Sequence, residues 1–161
     1  HDLRSRVDAV MVGSNTVIKD DPMLLNKFSK NRQPIRIIAD GRSKIPALSK
    51  VLSSSDRSPV ILASSILGRS GKADPVKLMK LLAKNNITHI LVEGGGTLIS
   101  SLIENDLVDR ILIFIAPKII GGRRAITAVE GSGAAKIAAA RNFKITNVTR
   151  FEKDILIEAE K

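Results

Sequence analysis

The sequence predicts a three-layer α/β domain on a mostly parallel sheet, with an antiparallel hairpin at the C-terminal end. Three observations lead there. Short apolar runs of strand length alternate with stretches of helical period. Each of the first runs is buried-looking on both sides and closes in a turn rich in glycine or aspartate. The last stretch, 143–160, reads as two strands about a polar turn at 152–154.

The elements follow in order. Residues 7–12 form an apolar run that stops at Gly13. Residues 16–19 allow a short helical turn, which Asp21-Pro22 ends because a residue before proline avoids the helical region. Residues 28–34 are polar and basic, a loop. A second strand, 35–39, closes at Asp40-Gly41, and a third spans 60–63. Asp74-Pro75 opens a helix, with aspartate as N-cap and proline at the first helical position. Leu78, Leu81 and Leu82 line one face of it, and Asn85-Asn86 end it. A fourth strand, 89–92, runs into Glu93-Gly94-Gly95-Gly96. The next helix, 97–104, turns Leu98, Ile99, Leu102 and Ile103 inward. A fifth strand, 110–116, is broken by Pro117. In the terminal hairpin Ile155 and Ile157 alternate with Leu156 and Glu158, a pattern of partial exposure.

Bulk properties narrow the function. A chain of 161 residues with 43% apolar content can bury a full core as one domain. No apolar run reaches the length of a membrane span and no leader is visible, so a soluble, cytoplasmic protein without a membrane partner is expected. The absence of cysteine excludes disulfides and thiolate metal sites. A net charge of +10 favours anionic partners: nucleic acid, membrane headgroups or phosphorylated small molecules. Scattered basic residues and only four aromatics, all phenylalanine, argue against nucleic acid, whose single strands stack on aromatic platforms. The single glutamine, the missing cysteine and the many lysines suit a heat-stable protein.

Ligands of open α/β sheets gather beyond the carboxyl ends of the strands. Three segments lie there: Gly13 to Thr16 with Asp20, Asp40 to Ile45, and Glu93 to Thr97. In the third, glycines let backbone approach a ligand, and the free N–H groups of the following helix favour a phosphate, with Thr97 as cap or phosphate donor. The spacing is neither that of a dinucleotide fingerprint nor that of a triphosphate loop, and a plain strand-to-helix turn explains it equally. Ser14 or Asn15 is either a helix cap or a polar contact. Glu93, at the end of a buried strand, either accepts bonds from an amino-pyrimidine ring or pairs with a nearby lysine. His89, at the start of the fourth strand, is expected to be structural. There is no G-x-S-x-G elbow and no H-E-x-x-H zinc site, so no metal is expected. Hydride transfer needs few protein acids or bases, because a cofactor carries the reactive atom, and it suits a chain so poor in catalytic side chains.

Several blocks together resemble the reductases of riboflavin synthesis. They are His1-Asp2-Leu3-Arg4, residues 7–13, Thr16-x-x-x-Asp20-Asp21-Pro22-x-Leu24, residues 34–40, residues 91–98, Leu107-Val108-Asp109, Ile115-Ala116-Pro117-Lys118 and Gly121-Gly122. Their order spans most of the chain, and the stand-alone archaeal type is nearest. The resemblance implies a dihydrofolate-reductase-like fold, NADPH as cofactor and a homodimer, with residues 110–116 and the terminal hairpin as candidate dimer surfaces. It implies hydride delivery to C1′ of the ribosyl group of 2,5-diamino-6-(ribosylamino)pyrimidinone 5′-phosphate, giving a ribityl product. The amino-uracil analogue, or another substrate such as a pterin on the same fold, is the alternative; a basic nucleic-acid-binding module is a remoter one.

Carried over residue by residue, the resemblance assigns cofactor contacts to Thr16, Asp20, Arg42, Ser43, Lys44, Ile45, Lys72, Gly94, Gly95, Gly96 and Thr97. It assigns substrate contacts to Arg4, Leu24, Lys27 and Glu93, with Asp20 and Glu93 as the catalytic candidates. The basic side chains fit this chemistry: Arg4 and Lys27 suit a 5′-phosphate, and Arg42, Lys44 and Lys72 suit an adenosine 2′-phosphate. Relative to the family pattern, a strand before the position of His1 and part of the 60–74 region are expected to be missing from this single reductase domain, 1–161.

Overall fold

The structure, a computed structural model, describes residues 1–28, 31–40, 44–65, 74–123 and 125–161. The chain runs α1 (Asp2–Arg6), β1 (Ala9–Gly13), α2 (Ser14–Asp20), β2 (Ile35–Ala39), α3 (Lys50–Ser53) and β3 (Val60–Leu62). It continues with α4 (Pro75–Lys84), β4 (Ile90–Val92), α5 (Gly96–Glu104), β5 (Arg110–Ile115), β6 (Lys144–Phe151) and β7 (Asp154–Glu160). Two short 3₁₀ turns, Ala63–Ser65 and Ile137–Ala139, complete it.

Four strands form a parallel sheet in the order β3-β2-β1-β4. The two inner strands carry the most continuous apolar runs, as a sheet covered on both faces requires. Alternation along them builds two cores. Val10, Val12 and Ile38 pack with Val17 of α2 and Val51 of α3 on one face. Ala9, Met11 and Ile37 pack with Leu78 and Leu82 of α4 on the other, where Leu98 of α5 joins them. These are the three layers the sequence predicts. Leu81 departs from the expected helix face: it is 46% exposed, because α4 buries the i, i+4 pair Leu78 and Leu82 and turns the residue beside them outward. Asp74 caps α4 as expected, accepting from the Lys77 N–H at 3.1 Å.

The hairpin forms as expected, β6 pairing antiparallel with β7, but it takes β5 with it. The order β5-β7-β6 makes a second, separate sheet. Six register pairs tie β5 to β7, and among the described residues no strand bridges β4 to β5. No helix among the described residues is long and apolar enough to cross a membrane.

Two short helices escaped the sequence reading. The first, α1, has no buried residue and hence no apolar stripe to betray it. The second, α3, has only four residues and buries Val51 alone. Its role emerges from Arg36, in the middle of β2 and 0% exposed. The Arg36 guanidinium donates to the Met23 carbonyl (3.1 Å), the Val51 carbonyl (3.0 Å), Ser54 Oγ (2.7 Å) and the Ser54 carbonyl (2.8 Å). It also donates to the carbonyl of Ser58. A buried cation is thus held by backbone dipoles and a hydroxyl. Burial, with Arg57 nearby, pulls its pKa below the usual arginine value.

Asp8 joins β1 to β4. Its Oδ2 accepts from the N–H of His89 (2.8 Å) and of Thr88 (3.0 Å). These backbone bonds, His89 first, hold its pKa below the ordinary aspartate value. A depressed native pKa gives stability that is complete above the unfolded value and is lost as pH falls through the native one. Asp8→Ala is therefore expected to melt earlier than the parent at neutral pH, with the gap closing in strong acid. Melting curves across pH check this, and a gap that widens in acid contradicts it.

Candidate active site

The three segments singled out at strand ends lie side by side, because β2, β1 and β4 are neighbours and parallel. Gly13 sits opposite Ala39, and the Glu93 N–H donates to the Met11 carbonyl at 2.9 Å. The first and third segments interlock. Gly94 (φ +75°) and Gly95 (φ +84°) adopt left-handed backbone. Cβ atoms on them would lie 3.7 and 3.5 Å from Thr16 Oγ1. Leu98 Cβ is 3.9 Å from Cβ positions built at Gly13 and at Gly95. Thr16 thus covers the glycine turn.

The helix starts differ from the expected caps. Gly13 occupies the N-cap of α2 without a side-chain bond, so neither Ser14 nor Asn15 is the cap. Gly95 occupies that of α5, so Thr97 lies inside the helix and does not cap it. The third glycine also serves another purpose. A Cβ on Gly96 would meet Glu130 Cγ at 2.7 Å, so its missing side chain makes room for the 127–131 segment. No sequence signal marked Glu130.

Two residues expected to touch substrate meet each other. Arg4 Nε donates to Glu93 Oε1 at 2.7 Å and Nη2 to Oε2 at 2.6 Å, a bidentate pair. Arg4 Nη1 donates to the Leu25 carbonyl at 3.0 Å. The pair is part-buried, with side chains 17% and 32% exposed. Glu93 therefore has the partner its position demands, an arginine in place of a lysine. Arg4 arrives on α1 and joins the 22–26 loop to the glycine turn.

That loop is stiff. Leu24 has φ +58°, uncommon outside glycine. The residue is 3% exposed and sits in the core with Val17 and Val51. Asn26 and Gln33 close the loop reciprocally, at 2.7 and 2.9 Å. The Lys27 side chain is exposed, while its N–H donates to His1 Nδ1 at 3.4 Å. Asp20 ends α2 on the exposed side. Asp40 Oδ2 accepts from the N–H groups of Lys44 (2.6 Å) and Ile45 (3.1 Å), which folds the second segment back on its strand. Arg42, Ser43 and Lys72 lie outside the described residues. His89 contributes its backbone to the Asp8 junction, as a structural residue does.

A cavity elsewhere, lined by Ile103, Asp106, Val108, Arg141, Phe143 and Lys161, holds one carboxylate. Asp106 is already paired with Lys161 at 2.7 Å, which lowers its pKa. The strand-end edge is the better candidate, since it gathers glycine backbone, an arginine-held carboxylate and an exposed lysine.

The RibD C-terminal domain model matches residues 1–157. The chain is 34% identical to the 2,5-diamino-6-ribosylamino-4(3H)-pyrimidinone 5′-phosphate reductase of Archaeoglobus fulgidus, over 80% of this chain and 70% of that protein. It is 30% identical to the protein of the same name from Methanothermobacter thermautotrophicus, over 98% and 82%. It superposes on RibD of Acinetobacter baumannii with a TM-score of 0.81 and 26% identity, covering 99% of this chain and 48% of that one. The chain thus spans most of the stand-alone reductases and about half of RibD. The chain therefore belongs to the RibD C-terminal domain family, whose fold its parallel sheet and hairpin share.

Proposed function

We propose that this chain is an NADPH-dependent reductase of riboflavin biosynthesis. It reduces the ribosyl group of 2,5-diamino-6-(ribosylamino)-4(3H)-pyrimidinone 5′-phosphate to the ribityl group. The observation that supports this most is the Arg4–Glu93 pair set one residue before a left-handed glycine turn. It puts a pyrimidine acceptor and a phosphate-binding backbone on one edge. The names of the archaeal relatives agree.

The glycine turn fits a dinucleotide. Gly94 is exposed beside Thr16, Gly95 is half-buried beneath it, and α5 begins without a side-chain cap. Thr16 and Gly94 to Thr97 hold the cofactor in this reading, with Asp20, Lys44 and Ile45 beside them. Arg42, Ser43 and Lys72 belong to the same reading. The bound cofactor supplies the hydride, delivered to C1′. Glu93, its oxygens fixed by Arg4, accepts from the amino and ring N–H groups of the pyrimidine. Lys27 faces solvent as a counter-charge for the 5′-phosphate, and Leu24 belongs to the substrate side of the same reading, holding the 22–26 loop from the core. Asp20 orients the reacting sugar or relays its proton.

The deciding experiment is oxidation of NADPH in the presence of the diamino-pyrimidinone or of the amino-uracil phosphate. Turnover of the first supports the reading; turnover of the second alone changes the substrate, and no turnover of either rejects both. Asp20→Asn is expected to slow turnover strongly while melting within about 0.5 kcal/mol of the parent, as exposed substitutions do. Unchanged rates remove Asp20 from the mechanism. The same reading makes the protein a cytoplasmic homodimer joined through β5 and the hairpin, where Phe114 is 59% exposed. Sedimentation as a monomer at micromolar concentration counts against that.

A further inference from the structure

Thr97 is the residue the glycine-turn reading aims at a phosphate oxygen, yet its hydroxyl already has an anionic acceptor. Thr97 Oγ1 donates to Glu130 Oε2 at 2.5 Å. The Glu130 N–H donates to the Gly96 carbonyl at 3.2 Å. The approach depends on glycine at both surfaces. A Cβ on Gly96 would meet Glu130 Cγ at 2.7 Å and the Thr127 carbonyl at 3.1 Å. A Cβ on Gly131, whose φ is +92°, would collide with Ser100 Oγ. Residues 127–131 therefore lie directly across the first turn of α5.

That turn is the positive end of a nine-residue helix whose N-cap residue contributes no side-chain bond. A carboxylate is favoured there for the reason a phosphate is. Two anions at one helix end repel each other, so the second to arrive displaces the first or binds against its field.

We infer that Glu130 competes with the cofactor's phosphates for the Thr97 hydroxyl at the start of α5, and so sets cofactor affinity. The inference rests on the cofactor reading of the glycine turn proposed above. Binding of the cofactor breaks the Glu130–Thr97 bond and lifts residues 127–131 from Gly96. Glu130 is thus an affinity-determining residue of the cofactor site, although it comes from a distant stretch between β5 and β6.

The test is titration of the intact protein and of Glu130→Gln with NADPH, followed by dihydronicotinamide fluorescence. Glutamine keeps the size and the acceptor for Thr97 and removes the charge. The expected result is NADPH binding about two- to fivefold tighter in the variant, the range a charge at a helix terminus produces. Dihydronicotinamide riboside, which has no phosphate, is expected to bind both proteins alike. Equal or weaker NADPH binding by the variant overturns the inference and leaves the cofactor reading intact. Absence of NADPH binding by both proteins overturns the cofactor reading and the inference with it. Hydrogen exchange gives a readout without substitution. The Glu130 amide is expected to exchange faster with NADPH bound than without, and slower or unchanged exchange overturns the inference.

Discussion

Arg36→Met is expected to lose about 3 kcal/mol of stability, a large share of the margin that keeps a domain folded. The substitution keeps volume and removes charge, a change that is often harmless when a buried ion pair is replaced whole. Arg36 is a different case. Its acceptors are the carbonyls of Met23, Val51, Ser54 and Ser58 together with Ser54 Oγ. The carbonyls stay behind when the guanidinium goes. The hydroxyl already donates to the Lys50 carbonyl and loses little. The Ser54 carbonyl keeps the Arg57 N–H at 3.1 Å. The carbonyls of Met23, Val51 and Ser58 each face about 1–3 kcal/mol for a buried group left unpaired. Part of that is recovered by relaxation, since α3 is one turn long. Arg36→Lys should fall between parent and Met, because an ammonium has three donors and no planar fork. Urea unfolding followed by circular dichroism measures both, and a Met variant within about 0.5 kcal/mol of the parent would show the carbonyls to be satisfied some other way.

Glu93→Gln is expected to lower kcat/KM about 10- to 100-fold while the protein remains folded. The carboxylate accepts from two nitrogens of Arg4 through both oxygens. Glutamine keeps one oxygen and turns an amide NH₂ toward a guanidinium that can only donate. The loss of one charged hydrogen bond, about 1.5–3 kcal/mol, sets the upper part of the range. Since Arg4 and Glu93 both retain some solvent contact, the cost to folding is the smaller share. Steady-state kinetics at saturating NADPH, paired with a melting curve, separates the two effects. Kinetics equal to those of the parent would take Glu93 out of substrate recognition.

Much of the frame was legible because it is written in local patterns. The run that became β1 is apolar on both faces, that of β2 is apolar but for Arg36, and Asp74-Pro75 marks the start of α4. The fold class follows from their alternation. The short helices were not legible, since α1 buries nothing and α3 is only about one helical turn long, too short to repeat a pattern. The third strand is one residue shorter than read, because Ala63 turns into a 3₁₀ segment. At the site, single residues were visible and their pairings were not. Arg4 and Glu93 are 89 positions apart, and no spacing rule joins them. Thr97 and Glu130 are 33 apart and separated by β5. Arg36 was not singled out in the sequence, and only the carbonyls of three distant segments explain why a cation belongs in β2.

The glycine turn begins at the residue after Glu93, and Thr16 packs over its next two positions. A rotation of the Gly94 peptide therefore moves the carboxylate as well as the amides. In the function proposed above, the two halves of the reaction then share one mechanical part. Heterotropic linkage is the consequence: whatever factor the nucleotide imposes on pyrimidine affinity, the pyrimidine imposes equally on the nucleotide.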